Sequence, residues 1–240
     1  VIMSSNETMP DICAPITKKY PNQKFLLLHG VLEGNESIAC INYDQREQFY
    51  LSGYISGLMS NTHKVALIAG EEYPAMNNIM LPYYARGASD AVDGTTCVFR
   101  TIGNWYDSQK GEAIADSLVQ EGADIILPVC GGATGGVIAS AAKNGIHLAF
   151  NDHVPFEQAP GVIIAVCYTN QHLAAKESTR DFLSGKIEWG TTKLLGFQQG
   201  YIIFDDTDEL YLQTVPDGPR GHMEVLLSGF RSGILGIPKL

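Results

Sequence analysis

Short apolar runs alternate with longer amphipathic stretches along almost the whole chain. The runs are rich in Val, Ile and Leu and are bounded by turn residues, which is typical of buried strands. The predicted strands are 1–3, 24–28, 38–43, 64–69, 96–102, 124–129, 147–150, 162–167, 193–197, 201–204 and 209–212. The stretches between them carry apolar residues at helical spacing. The predicted helices are 10–20, 46–60, 75–92, 108–121, 135–144, 170–185 and 221–232.

Residues that favour helix ends support these helices. Asp107 is a good N-cap for the helix 108–121, and Gly122 follows it where a helix C-terminus needs a left-handed residue. Asn144-Gly145 ends the next helix in the same way. Apolar strands separated by such helices predict a mainly parallel sheet covered on both faces, which is a doubly wound α/β architecture.

The strand–helix alternation also predicts how the chain divides. The run 64–167 contains five alternations, enough for one complete open-sheet lobe, whereas 1–60 contains too few elements for another. After 193 the predicted strands come close together, as expected if the tail returns to the first lobe. We therefore predict a partial lobe one from 1–60 and 198–240, and a lobe two from 61–197.

Composition narrows the class of function. The net charge is −10 and Lys and Arg do not cluster, which argues against a nucleic-acid partner. The longest apolar runs are far shorter than the ~20 residues of a membrane-spanning helix. The five cysteines form no C-x-x-C pair, and we interpret them mainly as small buried apolar residues.

Ligands of open parallel sheets bind beyond the carboxyl ends of the strands, so the residues after each strand are the candidates. The segment 131–136 contains four glycines between a strand and a helix. It is open to three interpretations: a structural turn, a cofactor phosphate loop, or a solute-binding loop with Gly132 and Thr134 near the ligand. We favour the solute-binding loop.

An aromatic pair and a carboxylate follow two other strands. Trp105 and Tyr106 lie between Asn104 and Asp107, a polar setting that suits an aromatic residue stacking on a planar ligand ring. Asp152, next to Asn151, is either a turn or N-cap carboxylate or an acceptor for ligand hydroxyl groups. Trp189 follows a helix and is interpreted as a packing residue.

Signs of catalysis are weak. The six histidines lack metal-ligand spacing, and neither a G-x-S-x-G elbow nor a Cys/His nucleophile pair is present. Only His153 beside Asp152 suggests acid–base chemistry. We predict no enzyme activity, no cofactor and no metal. The alternatives are an intracellular α/β enzyme acting on a nucleoside or sugar, and a ligand-sensing regulator.

Several short segments occur together in one order and spacing. The segment 46–54 reads R-E-Q-F-Y-L-S-G-Y and contains E-x-x-Y-L-x-G. The others are V-A-L-I-A-G at 65–70, N-W-Y-D at 104–107 followed by Lys110, G-A-D-I-I at 122–126 and G-A-T-G at 132–135. In these segments the chain resembles the basic membrane protein family of periplasmic-binding-protein-like lipoproteins, which includes purine nucleoside receptors. The resemblance covers nearly the whole chain, most clearly 43–200.

The resemblance implies a type I periplasmic-binding-protein fold whose two hinged lobes close on a solute and present it to the permease of an ABC importer. It also implies that Trp105 stacks on the ligand ring and that Asp152 binds sugar hydroxyls. Nucleoside receptors carry a lysine where this chain has Gln198, and riboflavin-binding lipoproteins are relatives. Riboflavin and a purine nucleoside therefore both remain open as the ligand.

Family members begin with a strand–helix–strand–helix unit to which no part of this chain corresponds. We therefore expect the chain to be a fragment whose lipid anchor lies outside it, and the protein to be a periplasmic or cell-surface lipoprotein. We also expect the partial lobe to expose apolar sheet surface. The predicted ligand contacts, in an interlobe cleft, are Ser5, Asn6, Trp105, Tyr106, Gly132, Thr134, Asn151, Asp152 and Gln198.

Overall fold

The computed structural model describes residues 1–238. The strands are β1 (Ile2–Ser5), β2 (Phe25–Leu28), β3 (Ile38–Tyr43), β4 (Lys64–Ala69), β5 (Thr96–Thr101), β6 (Ile125–Val129), β7 (His147–Phe150), β8 (Ile163–Thr169), β9 (Thr192–Leu195) and β10 (Ile202–Phe204). The helices are α1 (Met9–Lys19), α2 (Gln45–Met59), α3 (Leu81–Ala91), α4 (Ser108–Gln120), α5 (Thr134–Asn144), α6 (Gln171–Leu183), α7 (Glu209–Thr214) and α8 (Asp217–Ser232). A π-helical turn, Met76–Met80, leads into α3.

The predicted α/β class with parallel sheets is confirmed, and most predicted elements lie within a few residues of their observed bounds. One prediction is wrong: 209–212 forms the start of α7 and is not a strand. The carboxylate of Asp208 accepts a hydrogen bond from Leu210 N at 2.8 Å, which caps a helix. Tyr211 is then buried between the rings of Phe156 and Phe204. A helical cap and one buried aromatic residue decide the structure of this short apolar segment.

The chain divides into two compact units. Unit 1 comprises Val1–Asp44 and Asn170–Ile202, and unit 2 comprises Gln45–Thr169 and the chain from Ile203 onward. These boundaries differ from the predicted 1–60, 61–197 and 198–240. The difference arises because α2 packs on α3 in unit 2, whereas β9 pairs with β3 in unit 1. The tail with α7 and α8 belongs to unit 2.

Unit 1 contains a four-stranded parallel sheet in the order β1-β2-β3-β9. Helix α1 covers one face through a cluster of Cys13, Phe25, Leu27, Ile38 and Cys40. Strand β1 is exposed at the edge of the sheet, and its apolar residues Ile2 and Met3 remain in contact with solvent. An exposed apolar surface on this unit agrees with the expectation from the sequence.

Unit 2 contains a six-stranded sheet in the order β10-β8-β7-β6-β4-β5, in which β4 to β8 run parallel. Helices α2 and α3 pack with their backbones in contact. A Cβ on Gly53 would lie 2.0 Å from the Tyr84 carbonyl oxygen, and one on Gly87 would lie 2.1 Å from that of Tyr50. The glycine of the E-x-x-Y-L-x-G segment, Gly53, is therefore required by the close packing of α2 on α3.

Candidate functional site

The carboxyl ends of β4 to β8 lie along one edge of the unit 2 sheet because these strands are parallel. This edge carries most of the predicted ligand contacts: Trp105, Tyr106, Gly132, Thr134, Asn151 and Asp152 follow β5, β6 and β7. Open α/β sheets bind their ligands at this edge. The topology thus brings together residues that are up to 47 positions apart in the sequence.

Trp105 packs against the backbone of two glycines, Gly70 and Gly131. A Cβ on Gly70, directly after β4, would be 2.6 Å from Cδ2 and Cε3 of the indole, and one on Gly131, directly after β6, would be 2.9 Å from the Trp105 carbonyl oxygen. Gly103 N donates to the Gly70 carbonyl at 2.7 Å and holds the segment in place. The Tyr73 ring lies at one side, with a centroid distance of 6.1 Å. The residue Trp105 as a whole keeps 39% of its accessible surface.

The residues around Trp105 fix the backbone of its loop. Asn104 Oδ1 accepts from the backbone N of Tyr106 at 3.0 Å and of Asp107 at 2.8 Å. Asp107 in turn caps α4 by accepting from Lys110 N at 3.0 Å, as predicted. Tyr106 is 80% exposed, so its side chain contributes little to packing. The loop is therefore ordered by its own hydrogen bonds and leaves both aromatic side chains accessible.

The glycines of the 131–136 loop have two different roles. Gly131 adopts a positive φ of 57° at the start of a short 3₁₀ turn, Gly131–Ala133, and lies with Gly132 against the Trp105 backbone. Gly136 lies where α5 crosses α4, because a Cβ there would be 1.8 Å from the Ser108 carbonyl oxygen. Thr134 Oγ1 is 3.4 Å from Cys130 Sγ. The loop supports Trp105 and packs two helices together, in addition to any contact with a ligand.

The end of β7 carries hydrogen-bond acceptors. Asn151 Oδ1 is buried and has no hydrogen-bond partner among the described residues. Asp152 follows it at the surface, and desolvation by surrounding protein raises the pKa of its carboxyl group. The His153 ring meets the Tyr168 ring edge-on, at 4.8 Å between centroids. His153, the residue that suggested acid–base chemistry, thus packs against an aromatic ring.

Sequence reasoning missed Gln48, which organises this edge from α2. Its side chain is 2% exposed, and its Nε2 donates to the carbonyl oxygens of Asn151 and Cys167. The only sequence signal was its position inside the E-x-x-Y-L-x-G segment.

Ser5 ends β1, Asn6 follows it, and Gln198 comes three residues after β9, at the carboxyl edge of the unit 1 sheet; all three are exposed. Asn6 Oδ1 accepts from Thr8 N and Oγ1 at 2.9 and 2.7 Å, so part of its role is to shape the turn before α1. Ser5 Oγ is 3.5 Å from Gln171 Oε1. Their contact with a ligand stays a prediction.

His29 directly follows β2 and Tyr43 is the last residue of β3, at the same edge of unit 1. His29 has a positive φ of 71°, which is uncommon for a residue with a side chain, and its ring lies 5.7 Å from that of Tyr43. Burial raises the pKa of Tyr43 to about 12, and its hydroxyl group has no hydrogen-bond partner within residues 1–238. From the sequence, His29 was notable only because it directly follows the predicted strand 24–28.

Metal-ligand groups, membrane-spanning helices and the cysteines were the other candidates in the part of the chain that the structure describes. No group of three His, Cys, Asp or Glu side chains there could hold a metal ion. Across residues 1–238, no helix has the length and apolar character to cross a bilayer. The five cysteines are free thiols, four of them buried. Trp189 packs edge-on against Phe182, with Lys24 Nζ 5.1 Å from the centre of its ring.

Two curated relatives match about half of this chain at low sequence identity. It is 23% identical over 133 residues to the CD4+ T-cell-stimulating antigen of Listeria monocytogenes, which is 55% of this chain and 37% of that protein. It is 22% identical over 134 residues to the ABC transporter nucleoside-binding protein BmpA of Lactococcus lactis, which is 56% of this chain and 38% of that protein. The matched part of the chain thus spans less than two fifths of the length of these relatives.

A solved structure supports the fold over nearly the whole chain. The ABC transporter system solute-binding protein from Aeropyrum pernix K1 superposes with a TM-score of 0.82 at 17% identity, covering 99% of this chain and 78% of that one. Residues 1–225 match the Bmp family, described as ABC transporter substrate-binding protein PnrA-like. The chain therefore belongs to the Bmp family of PnrA-like ABC transporter substrate-binding proteins.

Proposed function

We propose that this chain is the solute-binding part of an extracytoplasmic receptor for an ABC importer, and that its solute is a planar heterocycle carrying hydroxyl groups. The observation that carries the proposal is the pairing of Trp105 with acceptors on one sheet edge. The indole lies on Gly70 and Gly131 and keeps an accessible surface. Strand β7, with Asn151 and Asp152 at its end, is the neighbour of β6 in the sheet.

The dimensions of the edge suit such a solute. Adjacent strands lie about 5 Å apart, so the ends of β4, β6 and β7 together span about 10 Å. A ring stacked on Trp105 would place a hydroxylated substituent toward Asn151 and Asp152. The buried Asn151 oxygen without a partner favours a ligand that donates a hydrogen bond there.

Two ligand classes fit this chemistry. A purine nucleoside and riboflavin both join a planar ring to a chain or ring of hydroxyl groups. The name of the Lactococcus lactis relative supports the nucleoside. The exposed amide of Gln198, where the resemblance leads us to expect a lysine, favours the riboflavin alternative. The permease of the importer is the proposed protein partner.

The first experiment is to identify what co-purifies with the protein. The bound material is released by denaturation and analysed by its absorption spectrum and mass. A yellow species with flavin absorption bands would identify riboflavin, and a colourless purine nucleoside would identify the other class. A protein that is empty and shows no thermal shift with either compound would overturn the proposed ligand class.

Substitution of Trp105 tests the stacking role directly. Trp105→Ala should lower affinity for the identified ligand by about 1–3 kcal/mol, roughly 5- to 150-fold in Kd, with Trp105→Phe in between. Trp189→Phe is the matched control: it alters a tryptophan that packs on Phe182 and should leave Kd within twofold. Equal Kd values for Trp105→Ala and wild type in isothermal titration calorimetry would contradict stacking on this residue.

A further inference from the structure

Gln48 occupies a place in unit 2 where two strands separate. The pairing of β7 with β8 runs from Leu148↔Ile163 to Phe150↔Val166 and includes an irregularity between Leu148 and Ala149. The next residues along the two strands are Asn151 and Cys167. Strand β7 ends at Phe150 whereas β8 continues to Thr169, so the pairing of the two strands stops at Phe150↔Val166.

The side-chain amide of Gln48 joins the two chain segments where their pairing stops. Its Nε2 carries two hydrogens and contacts two acceptors, the Asn151 carbonyl oxygen and, at 2.9 Å, the Cys167 carbonyl oxygen. These two contacts fix the orientation of the amide, so Gln48 Oε1 points away from both carbonyls. This oxygen is buried and has no hydrogen-bond partner within residues 1–238. A buried oxygen without a partner destabilises the fold, and an apolar side chain of the same size would avoid this cost. The amide of Gln48 therefore does more than fill space.

We propose that Gln48 is the positioning residue of the ligand site: it bridges the separating ends of β7 and β8 and thereby sets the backbone from which Asn151 and Asp152 project. The inference rests on the proposed function for the identity of the ligand. The bridge itself is independent of that identity, since it concerns protein atoms alone. Gln48 acts through Asn151 and Asp152 and does not touch the solute.

The first test distinguishes the loss of the Gln48 hydrogen bonds at the ends of β7 and β8 from a general loss of stability. Gln48→Met keeps the length of the side chain and removes both donors, and Gln48→Glu is the second variant should the first fail to fold. Ser56→Ala is the matched control, because Ser56 is equally buried on α2 and loses hydrogen bonds to Ser52 and Tyr84 away from the ends of β7 and β8. Hydrogen exchange measured by mass spectrometry should quicken in the peptides covering 147–154 and 163–169 in the Gln48 variants, relative to Ser56→Ala. Equal exchange in both would overturn the bridge, even if no ligand has been found.

The second test measures affinity with paired ligands. For riboflavin or a purine nucleoside, whichever binds wild type, Gln48→Met should raise Kd about tenfold, as expected for one polar contact. The ring alone, lumichrome or the free purine base, should bind with Kd within twofold of wild type, since Trp105 is unchanged. An equal loss for both compounds would mean that Gln48 is merely structural.

A double-mutant cycle completes the test. In a background that carries both Asn151→Ala and Asp152→Ala, Gln48→Met should change Kd by less than twofold, because both acceptors that it positions are already lost. The same tenfold loss in both backgrounds would overturn the proposal. If wild type binds neither compound class, the proposed function fails, while the exchange measurement still decides whether Gln48 orders residues 151–152.

Discussion

The indole of Trp105 rests directly on Gly70, whose backbone leaves no space for a side chain: an added Cβ would lie 2.6 Å from two ring carbons. The two residues are 35 positions apart in the sequence and meet because β4 and β5 are neighbouring parallel strands. The absence of a side chain at Gly70 thus lets the Trp105 ring lie directly against the backbone at the sheet edge.

Gly70→Ala should displace the Trp105 ring and weaken binding of a planar ligand. The partly exposed ring can move aside, so we expect a cost in stability of about 1–3 kcal/mol and a larger Kd. Tryptophan fluorescence and calorimetry measure the displacement and the Kd. Gly218→Ala, at a position with no atom within 4 Å of an added Cβ, is the control. Unchanged fluorescence and Kd in Gly70→Ala would contradict the role of this contact.

Ligand affinity should fall in acid because of Asp152. Desolvation raises the pKa of its carboxyl group above the ordinary value of about 4, so lowering the pH protonates this acceptor earlier than a free aspartate. Kd measured from pH 7 downward should therefore rise before pH 4 is reached. Asp152→Asn should bind more weakly at pH 7 and lose most of this dependence. Parallel pH profiles for the two proteins would exclude Asp152 as the titrating acceptor.

Asp116 should stabilise the helices that carry the site loops. It accepts hydrogen bonds from Ser140 Oγ at 2.6 Å, Lys143 Nζ at 2.9 Å and Asn144 Nδ2 at 2.8 Å, and so joins α4 to α5. These bonds, that from Ser140 first, lower the pKa of its carboxyl group to about 2. A carboxyl whose folded pKa lies below its unfolded value of about 3.9 stabilises the protein above that value and loses the effect as the pH falls toward 2.

Thermal unfolding across pH measures this contribution. Asp116→Ala should lower Tm at pH 7, and its difference from wild type should shrink between about pH 5 and pH 2. Asp93→Ala, in the exposed turn before β5, is the control and should follow wild type throughout. A difference in Tm that stays constant with pH would show that Asp116 acts through packing and not through its charge.

Gly53→Ala should destabilise unit 2 by overpacking α2 against α3. The added Cβ would lie 2.0 Å from the Tyr84 carbonyl oxygen, which is backbone and cannot rotate away. We expect a loss of about 1–3 kcal/mol in the free energy of unfolding, measured in urea. Gly221→Ala, inside α8 with no atom within 4 Å of an added Cβ, should instead stabilise by about 0.5–1 kcal/mol. An unchanged free energy of unfolding in Gly53→Ala would mean that α2 and α3 move apart readily.

Local patterns were sufficient for most of the fold. The apolar runs and caps around Asp107 and Gly145 predicted α4 and α5 correctly because capping involves residues only a few positions apart. The segment 209–212 was misread because an apolar run of four residues suits a strand as well as a helix. The cap at Asp208 and the pocket between Phe156 and Phe204 decided the outcome.

By itself, the sequence determined the α/β class and the order of nearly all the elements, because both depend on short-range patterns. It also indicated that the polar residues after the strands lie along one edge of a parallel sheet. The tertiary structure decided where the chain divides, which glycines of 131–136 support Trp105, and that Gln48 holds the end of β7. Gln48 lies 103 residues from Asn151 and 119 from Cys167, so only the packing of α2 on the sheet brings the three together. No pattern within a short stretch of sequence encodes such a contact.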